Sequence, residues 1–221
     1  MKKTTNETKA VKKNNVTELV FILDRSGSMS ALRDDTIGGF NTMIEQQKKT
    51  DADVLVSTVM FSDDSSVIHD RVHICDIKDL TRDDYAPMGC TALLDAVGDA
   101  VKHITNIHKY ARKEDVPNKT MFVITTDGME NASTHYSQRD VKRLIEKQKE
   151  KYGWEFLFIG ANIDSVETAG SIGIDARRAV NYTASAKGTR SLFKGVGKAM
   201  EEACCCGCCE EISDEWRKEI K

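Results

Sequence analysis

The 221-residue sequence lacks three things: an apolar run long enough to span a membrane, a net positive charge, and cysteines distributed along the chain. The first absence predicts a protein without a transmembrane helix. The Lys-rich N-terminus also lacks the apolar segment of a signal peptide, so we expect a cytoplasmic location. A net charge of −3 disfavours a nucleic-acid-binding protein that relies on bulk electrostatic attraction. Five of the seven cysteines crowd into 204–209, which excludes a distributed disulfide framework.

What remains is the composition of an ordinary soluble globular protein, with 40% hydrophobic and 30% charged residues. The length suits one α/β domain. Residues 1–16 carry five lysines against one glutamate and no periodic apolar pattern, which predicts a flexible basic tail. We expect the domain over 17–203 and a Cys-rich, acidic tail over 204–221. The apolar residues Trp216 and Ile220 would allow this tail to dock as a last helix.

An apolar run, 19–23, predicts a buried parallel strand over about 17–24. Apolar periodicity predicts further strands near 53–61, 67–74, 121–124, 154–159 and 179–182. It predicts helices near 32–49, 137–151, 164–171 and 186–203, with one more long helix for which Thr91 is the expected N-cap. Only five residues separate the second and third strands, too few for a parallel crossover. We therefore predict a doubly wound, mostly parallel sheet with one antiparallel edge strand and helices on both faces.

Oxygen-bearing side chains follow the first strand at alternating positions, namely Asp24, Ser26 and Ser28. Where a strand breaks into a loop, this spacing can turn three oxygens toward one point. Oxygen donors with few charges suit a hard cation such as Mg²⁺, which accepts one or two carboxylates and keeps several waters. The alternative interpretation is a helix N-cap serine beside an ordinary strand-end aspartate.

Two later stretches favour the metal interpretation. Asp127 follows the fourth strand within Thr126-Asp127-Gly128, and Thr91 opens the long helix that leads into that strand. In a doubly wound sheet, ligands bind beyond the carboxyl ends of the strands, where the strand order reverses. Three separate segments are therefore expected to deliver oxygens to the same edge of the sheet.

With these motifs, the sequence over about 17–200 resembles a von Willebrand factor type A domain with its metal-ion-dependent adhesion site. That family has Asp-x-Ser-x-Ser after strand one, a Thr opening a later helix, and an Asp in a strand-end Thr-Asp-Gly. The matching residues here are Asp24, Ser26, Ser28, Thr91 and Asp127. Cys90 departs from the pattern, because relatives often carry glycine there. Within the family, the chain looks most like small stand-alone bacterial or phage members.

The resemblance implies a bound Mg²⁺, or Mn²⁺ or Ca²⁺, that the two serines and Thr91 coordinate directly. One or both aspartates would act largely through water and leave one coordination position open for a partner's carboxylate. The expected function is a non-enzymatic, cation-dependent protein-binding module that recognises an Asp or Glu of its partner, without nucleic acid or membrane. The residues expected to form the partner-binding rim are Arg25, Met29, Glu130 and Asn131, with His135 beside them.

Two alternatives stay open. Phosphotransferases and hydrolases of the haloacid dehalogenase type also place an aspartate after strand one, but they need a second acid two residues later. Here that position is Ser26, which cannot donate a proton to a leaving group at neutral pH. The second alternative is a soft-metal or thiol function for the cysteine cluster 204–209, although no second cysteine pair or nearby histidine completes a spaced zinc motif.

Overall fold

A computed structural model describes residues 15–204 and 212–220, and in these residues a six-stranded sheet carries helices on both faces. The strands are β1 Thr17–Asp24, β2 Val54–Phe61, β3 Ser65–His73, β4 Lys119–Thr126, β5 Glu155–Gly160 and β6 Ala179–Asn181. They lie in the order β3-β2-β1-β4-β5-β6. All neighbouring strands pair parallel except β2 and β3, which pair antiparallel at the edge. The predicted fold class is therefore confirmed.

Two helical layers sandwich this sheet. The helices are α1 Arg33–Gln47, α2 Leu93–Tyr110, α3 Gln138–Tyr152, α4 Ser165–Ser171, α5 Ala186–Cys204 and α6 Glu215–Glu219. Because successive strand residues point to opposite faces, β1 contributes to both cores. Leu19, Phe21 and Leu23 pack with α1, α5 and α6, whereas Val20 and Ile22 pack with α2, α3 and α4. Burial on both faces explains why β1 is continuously apolar rather than alternating.

The strand order reverses beside β1. From β1 the chain runs outward through β2 to β3, and it then returns to place β4 on the other side of β1. Leu23 and Thr125 are partners in the β1–β4 register. Asp24 and the turn that follows Thr126 therefore leave the sheet side by side at the switch point, where doubly wound folds bind ligands.

The predicted capping role of Thr91 is wrong. Helix α2 begins at Leu93, and its N-cap residue is Ala92, whose side chain cannot form a capping hydrogen bond. A later loop supplies the acceptors instead: the Leu94 N–H donates to Glu130 Oε2 at 2.9 Å, and the Asp95 N–H donates to Ser133 Oγ at 3.0 Å. Since this loop satisfies the first helical N–H groups, the Thr91 hydroxyl is not needed for capping.

The last helix docks on the core as the sequence indicated. The side chains of Trp216 and Ile220 are buried against α5. A Cβ added at Gly195 would lie 2.6 Å from Ile220 Cγ1, so the close approach of α6 to α5 requires glycine at this position. The proposed boundary between domain and tail stays a prediction. Residues 1–14 of the basic tail, and 205–209 of the cysteine cluster, lie outside the described residues.

Within the described ranges, no helix combines the length and the apolar character needed to cross a bilayer.

Candidate metal site

Asp24 is the last residue of β1, and donors from the following loop and from the end of β4 fix its carboxylate. The residue is 1% exposed. Its Oδ1 accepts a hydrogen bond from the Ser26 N–H at 2.7 Å, and its Oδ2 accepts one from the Thr126 hydroxyl at 2.6 Å. The buried Tyr85 hydroxyl donates to the Asp24 backbone carbonyl. The carboxylate is therefore held in one orientation before any ligand arrives.

Two serine hydroxyls connect the loop after β1 to the turn after β4. Ser26 Oγ lies 3.0 Å from Ser28 Oγ, and the Ser28 hydroxyl donates to Asp127 Oδ1 at 2.6 Å. Ser26 and Asp127 are buried, whereas Ser28 is exposed. The structure thus brings four of the five predicted ligands, Asp24, Ser26, Ser28 and Asp127, into one continuous group of oxygen atoms.

Thr91 approaches this group from the other side. A Cβ added at Gly128 would lie 3.7 Å from Thr91 Oγ1, which places the hydroxyl beside the turn that carries Asp127. The Asn131 side chain fixes the Thr91 backbone: Thr91 N–H donates to Asn131 Oδ1 at 2.9 Å, and Asn131 N–H donates to Thr91 O at 3.1 Å. The Thr91 hydroxyl forms no hydrogen bond with the described residues, so it is free to act as a ligand.

The loop before Thr91 is tied to the loop after β1. The Met88 N–H donates to Arg25 O at 2.9 Å, and the Gly27 N–H donates to Gly89 O at 3.1 Å. Gly89 has φ +72°, and a Cβ there would lie 2.0 Å from Asp63 Oδ2, so only glycine fits. The side chain of Cys90 is exposed. This departure from the usual glycine therefore leaves the Thr91 position undisturbed.

The electrostatics of the group favour a cation. Among the described residues, no Lys, Arg or His side chain forms an ion pair with Asp24 or Asp127. Burial raises the pKa of Asp127, and the neighbouring Asp24 carboxylate adds to this effect, so that together they outweigh the lowering by the Ser28 hydrogen bond. Two buried carboxylates without a positive partner are costly. A bound cation would remove that cost.

The chemistry of the donors selects the kind of cation. All five candidate ligands offer oxygen, two from carboxylates and three from hydroxyls. In the described ranges, no group of three or more His, Cys, Asp or Glu side chains forms a metal-binding cluster, so the candidate site depends on hydroxyl ligands beside its two carboxylates. Hard ions such as Mg²⁺ and Mn²⁺ prefer oxygen ligands, whereas soft ions prefer sulfur. These residues therefore fit a hard divalent cation.

Two of the predicted rim residues do not face a partner. The Met29 side chain is buried in the core at 5% exposure, because a 3₁₀ turn over Gly27–Leu32 points it inward. The Glu130 carboxylate is occupied within the protein. It accepts hydrogen bonds from the N–H groups of Leu94, Ala132 and Ser133 and from the Ser133 hydroxyl. Glu130 therefore supports the start of α2 instead of contacting a ligand.

The exposed rim includes two methionines that the sequence analysis did not predict. Met88 is 61% exposed and Met129 is 73% exposed, and they stand on the two loops that carry Thr91 and Asp127. Arg25 lies at this edge and its guanidinium contacts Asp64 Oδ1 at 3.0 Å. Asn131 is exposed but acts through the Thr91 backbone. The sequence contains a signal that could have identified the two methionines as rim residues: each is an apolar residue in a turn-rich loop next to a predicted ligand.

Comparison with known proteins identifies the architecture. No family model matches the sequence, and no curated protein matches it. Among solved structures, the mussel byssus proximal thread matrix protein 1 "with zinc occupied MIDAS motif" superposes with a TM-score of 0.57 at 18% identity, covering 85% of this chain and 46% of that one. A von Willebrand factor type A structure from Catenulispora acidiphila gives 0.53 at 15% identity, covering 85% and 42%. Manganese-loaded TRAP protein of Plasmodium vivax gives 0.52 at 16% identity, covering 83% and 74%.

The present chain thus spans less than half of the mussel and Catenulispora chains. Two of the three structures hold a metal, zinc in the mussel protein and manganese in the Plasmodium protein. Likenesses at identities below a fifth establish the fold alone. The strand order, the antiparallel edge strand and these superpositions together show that the chain has the von Willebrand factor type A fold.

Proposed function

We propose that the chain is a divalent-cation-dependent protein-binding module that recognises an Asp or Glu side chain of its partner. The metal would be held by Asp24, Ser26, Ser28, Thr91 and Asp127, with Mg²⁺ as the expected ion and Mn²⁺ or Ca²⁺ as substitutes. One observation carries the proposal: the buried Asp24 and Asp127 carboxylates lie at the switch point without a basic partner among the described residues. They are linked through the Ser26 N–H, which donates to Asp24, and the Ser28 hydroxyl, which contacts Ser26 Oγ and donates to Asp127. A cytoplasmic location, and membership of the small stand-alone bacterial or phage type, are further parts of this proposal.

The ligand set explains why the partner would be acidic. Hydroxyl groups are neutral, so a cation held mainly by hydroxyls and water keeps most of its charge. A carboxylate from outside would complete the coordination and neutralise that charge. The protein's own groups contribute by orientation: Thr126 and the Ser26 N–H fix Asp24, and Asn131 fixes Thr91. These orienting contacts are what the protein would contribute to an adhesion-type metal site.

A non-enzymatic function is part of the proposal. In a phosphotransferase of the haloacid dehalogenase type, the strand-end aspartate attacks its substrate through a free oxygen. Here both Asp24 oxygens accept hydrogen bonds, and the residue is 1% exposed. Ser26, at the position of the required acid, lies within the hydroxyl chain to Ser28. These contacts favour binding over catalysis.

The thiol alternative rests on residues that the structure does not describe beyond Cys204, which is partly buried at the end of α5. It stays a hypothesis.

The proposal can be tested without knowing the partner by using Mn²⁺ as a spectroscopic probe. We expect stoichiometric Mn²⁺ binding, measured by the loss of the free-ion electron paramagnetic resonance signal. A capped peptide with a single Glu should then lower the water-proton relaxivity of the complex, because its carboxylate displaces a metal-bound water. The same peptide with Gln should leave the relaxivity unchanged.

Matched variants separate the site from the surface. Asp24→Asn should abolish Mn²⁺ binding, whereas Asp64→Asn should not, since Asp64 is a nearby but 80% exposed carboxylate. If Mn²⁺ binds equally to both variants, the site lies elsewhere. If Mn²⁺ binds at Asp24 but the Glu peptide has no effect, the metal is structural and the proposed mode of recognition is wrong.

A further inference from the structure

A large cleft lies far from the candidate metal site. It has a volume of about 660 Å³ and opens between the C-terminal halves of α2 and α3, next to the first residues of β4. The metal site lies at the carboxyl ends of β1 and β4, so this cleft is at the opposite end of the sheet. Its volume is within the roughly 300–1,000 Å³ range of small-molecule sites.

The charge of this cleft is unlike that of the rest of the chain. Three lysines, Lys109, Lys147 and Lys151, line it, and none of its lining residues is Asp or Glu. The chain as a whole carries more acidic than basic residues, 35 against 32. None of the three lysines forms an ion pair with a described residue. The cleft is therefore a local region of uncompensated positive charge on an acidic protein.

Helix ends explain only part of this pattern. The partial negative charge at a helix C-terminus favours lysine in the last turn, which applies to Lys109 and Lys151. Lys147 lies one turn earlier, on the same face of α3 as Lys151. By contrast, Lys142 on the same helix has a carboxylate partner, Glu146, at 3.8 Å. The cleft differs because it brings three ammonium groups from two helices together without a single carboxylate.

The walls of the cleft are packed against the core, and one of them carries an unsatisfied acceptor. The Trp154 ring stacks on Phe122 at 5.4 Å and meets the edge of His108, which Glu18 holds in place. Gln148 lines the cleft at 1% exposure, and its Oε1 accepts no hydrogen bond. A buried acceptor without a donor costs free energy. A ligand with an N–H or O–H group could supply that donor.

We propose that this cleft binds a phosphorylated small molecule of nucleotide size. Its phosphates would contact Lys109, Lys147 and Lys151, since lysine is a common ligand of phosphate groups. Its uncharged part would lie against the apolar wall and donate a hydrogen bond to Gln148. The site is independent of the metal site, and it holds whether or not the proposed protein-binding function is correct.

Isothermal titration calorimetry of the full chain in EDTA tests the proposal, because EDTA prevents a phosphate from binding through a metal. The probes are ATP, tripolyphosphate and adenosine. We expect ATP to bind, tripolyphosphate to bind more weakly, and adenosine not to bind detectably. Adenosine binding as tight as that of ATP would overturn the role of the lysines, and so would the absence of ATP binding at millimolar concentration.

Four variants assign the binding to these residues. Lys147→Ala and Lys151→Ala should each weaken ATP binding about fivefold, the effect of losing one solvent-exposed charge pair. Lys142→Ala, a lysine of the same helix outside the cleft, should leave it unchanged. Gln148→Met should weaken the binding of ATP but not that of tripolyphosphate. This variant should fold, since the substitution removes a buried acceptor that has no hydrogen-bond donor. ATP binding that is equal in the three cleft variants and in Lys142→Ala would show that another surface binds the nucleotide.

Discussion

Strand β1 carries two buried carboxylates, one near each end, and their surroundings are opposite. Glu18, near the start, is fully buried and has two basic partners, with Arg71 Nε and His108 Nε2 each 2.5 Å from its oxygens. Asp24, at the end, is equally buried, but its hydrogen bonds come from a backbone N–H and a threonine hydroxyl. The same strand therefore provides an internal comparison between a neutralised and an unneutralised carboxylate.

The difference shows how the fold assigns roles to buried charge. Moving a carboxylate out of water is costly unless a cation accompanies it. At Glu18 the protein supplies that cation as Arg71 of the edge strand β3, and His108 of α2 adds a second contact, so the carboxylate links two elements to the centre of the sheet. At Asp24, with Asp127 nearby, the described residues supply none. This contrast supports the proposal that Asp24 and Asp127 take up a cation from solution.

The largest expected effect comes from removing the partner of Glu18. Arg71→Met keeps the aliphatic stem but leaves Glu18 buried with only His108, and we expect it to lower the free energy of unfolding by about 3 kcal/mol. Urea denaturation measures this change. The control is Arg82→Met, whose ion pair with Asp34 is more than 60% exposed on both sides and should cost less than about 1 kcal/mol. Equal losses in the two variants would mean that Glu18 does not need Arg71.

The next largest effect concerns Asp127, the carboxylate beside Asp24, whose removal should change the melting temperature differently with Mg²⁺ and in EDTA. Asp127→Asn should abolish the stabilisation by Mg²⁺, which is about 2.7 kcal/mol at a hundred times the dissociation constant. For a chain of this length, that corresponds to a melting shift of about 5–10 °C. In EDTA the same variant should melt no lower than the original chain, because it removes a buried charge without a partner. A variant that is destabilised in EDTA would contradict the comparison, since Asp127 would then be serving the fold itself.

The sequence predicted the sheet because its signals are local. The apolar run of β1 predicts a buried parallel strand, and the short link between the second and third strands, predicted as five residues and three in the structure, predicts an antiparallel pair, each without knowledge of the rest of the chain. The convergence of Asp24, Ser26, Ser28 and Asp127 followed from strand order alone, although metal binding by these residues remains a prediction. Thr91 was placed at the correct edge but given the wrong local role.

What the sequence could not predict were contacts between distant segments. Glu130 caps a helix that begins 37 residues earlier, so its carboxylate could not be distinguished from a free rim residue. Glu18 was hidden inside an apolar strand, and its partners lie 53 and 90 residues away. Met29 was expected at the rim because it follows the serine motif, but the 3₁₀ turn there places it in the core.

The smallest effect concerns the exposed methionines beside the unneutralised carboxylates. Met88 and Met129 contribute nothing to the two buried charges, so Met88→Ala with Met129→Ala should leave both folding stability and Mn²⁺ affinity unchanged. Their apolar surface should instead contact the part of a partner that surrounds its acidic group. We therefore expect hexanoate to bind the Mn²⁺-loaded protein more tightly than acetate, by about fourfold for each methylene group that the methionines cover.

Water-proton relaxivity during titration with each acid measures these affinities. In the double alanine variant the preference for hexanoate should disappear while acetate binding persists, because the carboxylate still reaches the metal. Arg25→Ala is the matched control, since it alters the same edge by removing a charge and leaves the apolar surface intact; it should weaken both acids alike. A preference for hexanoate that survives in the double alanine variant would place the apolar contact on another part of the rim. Loss of Mn²⁺ binding in that variant would instead show that the methionines shape the metal site itself.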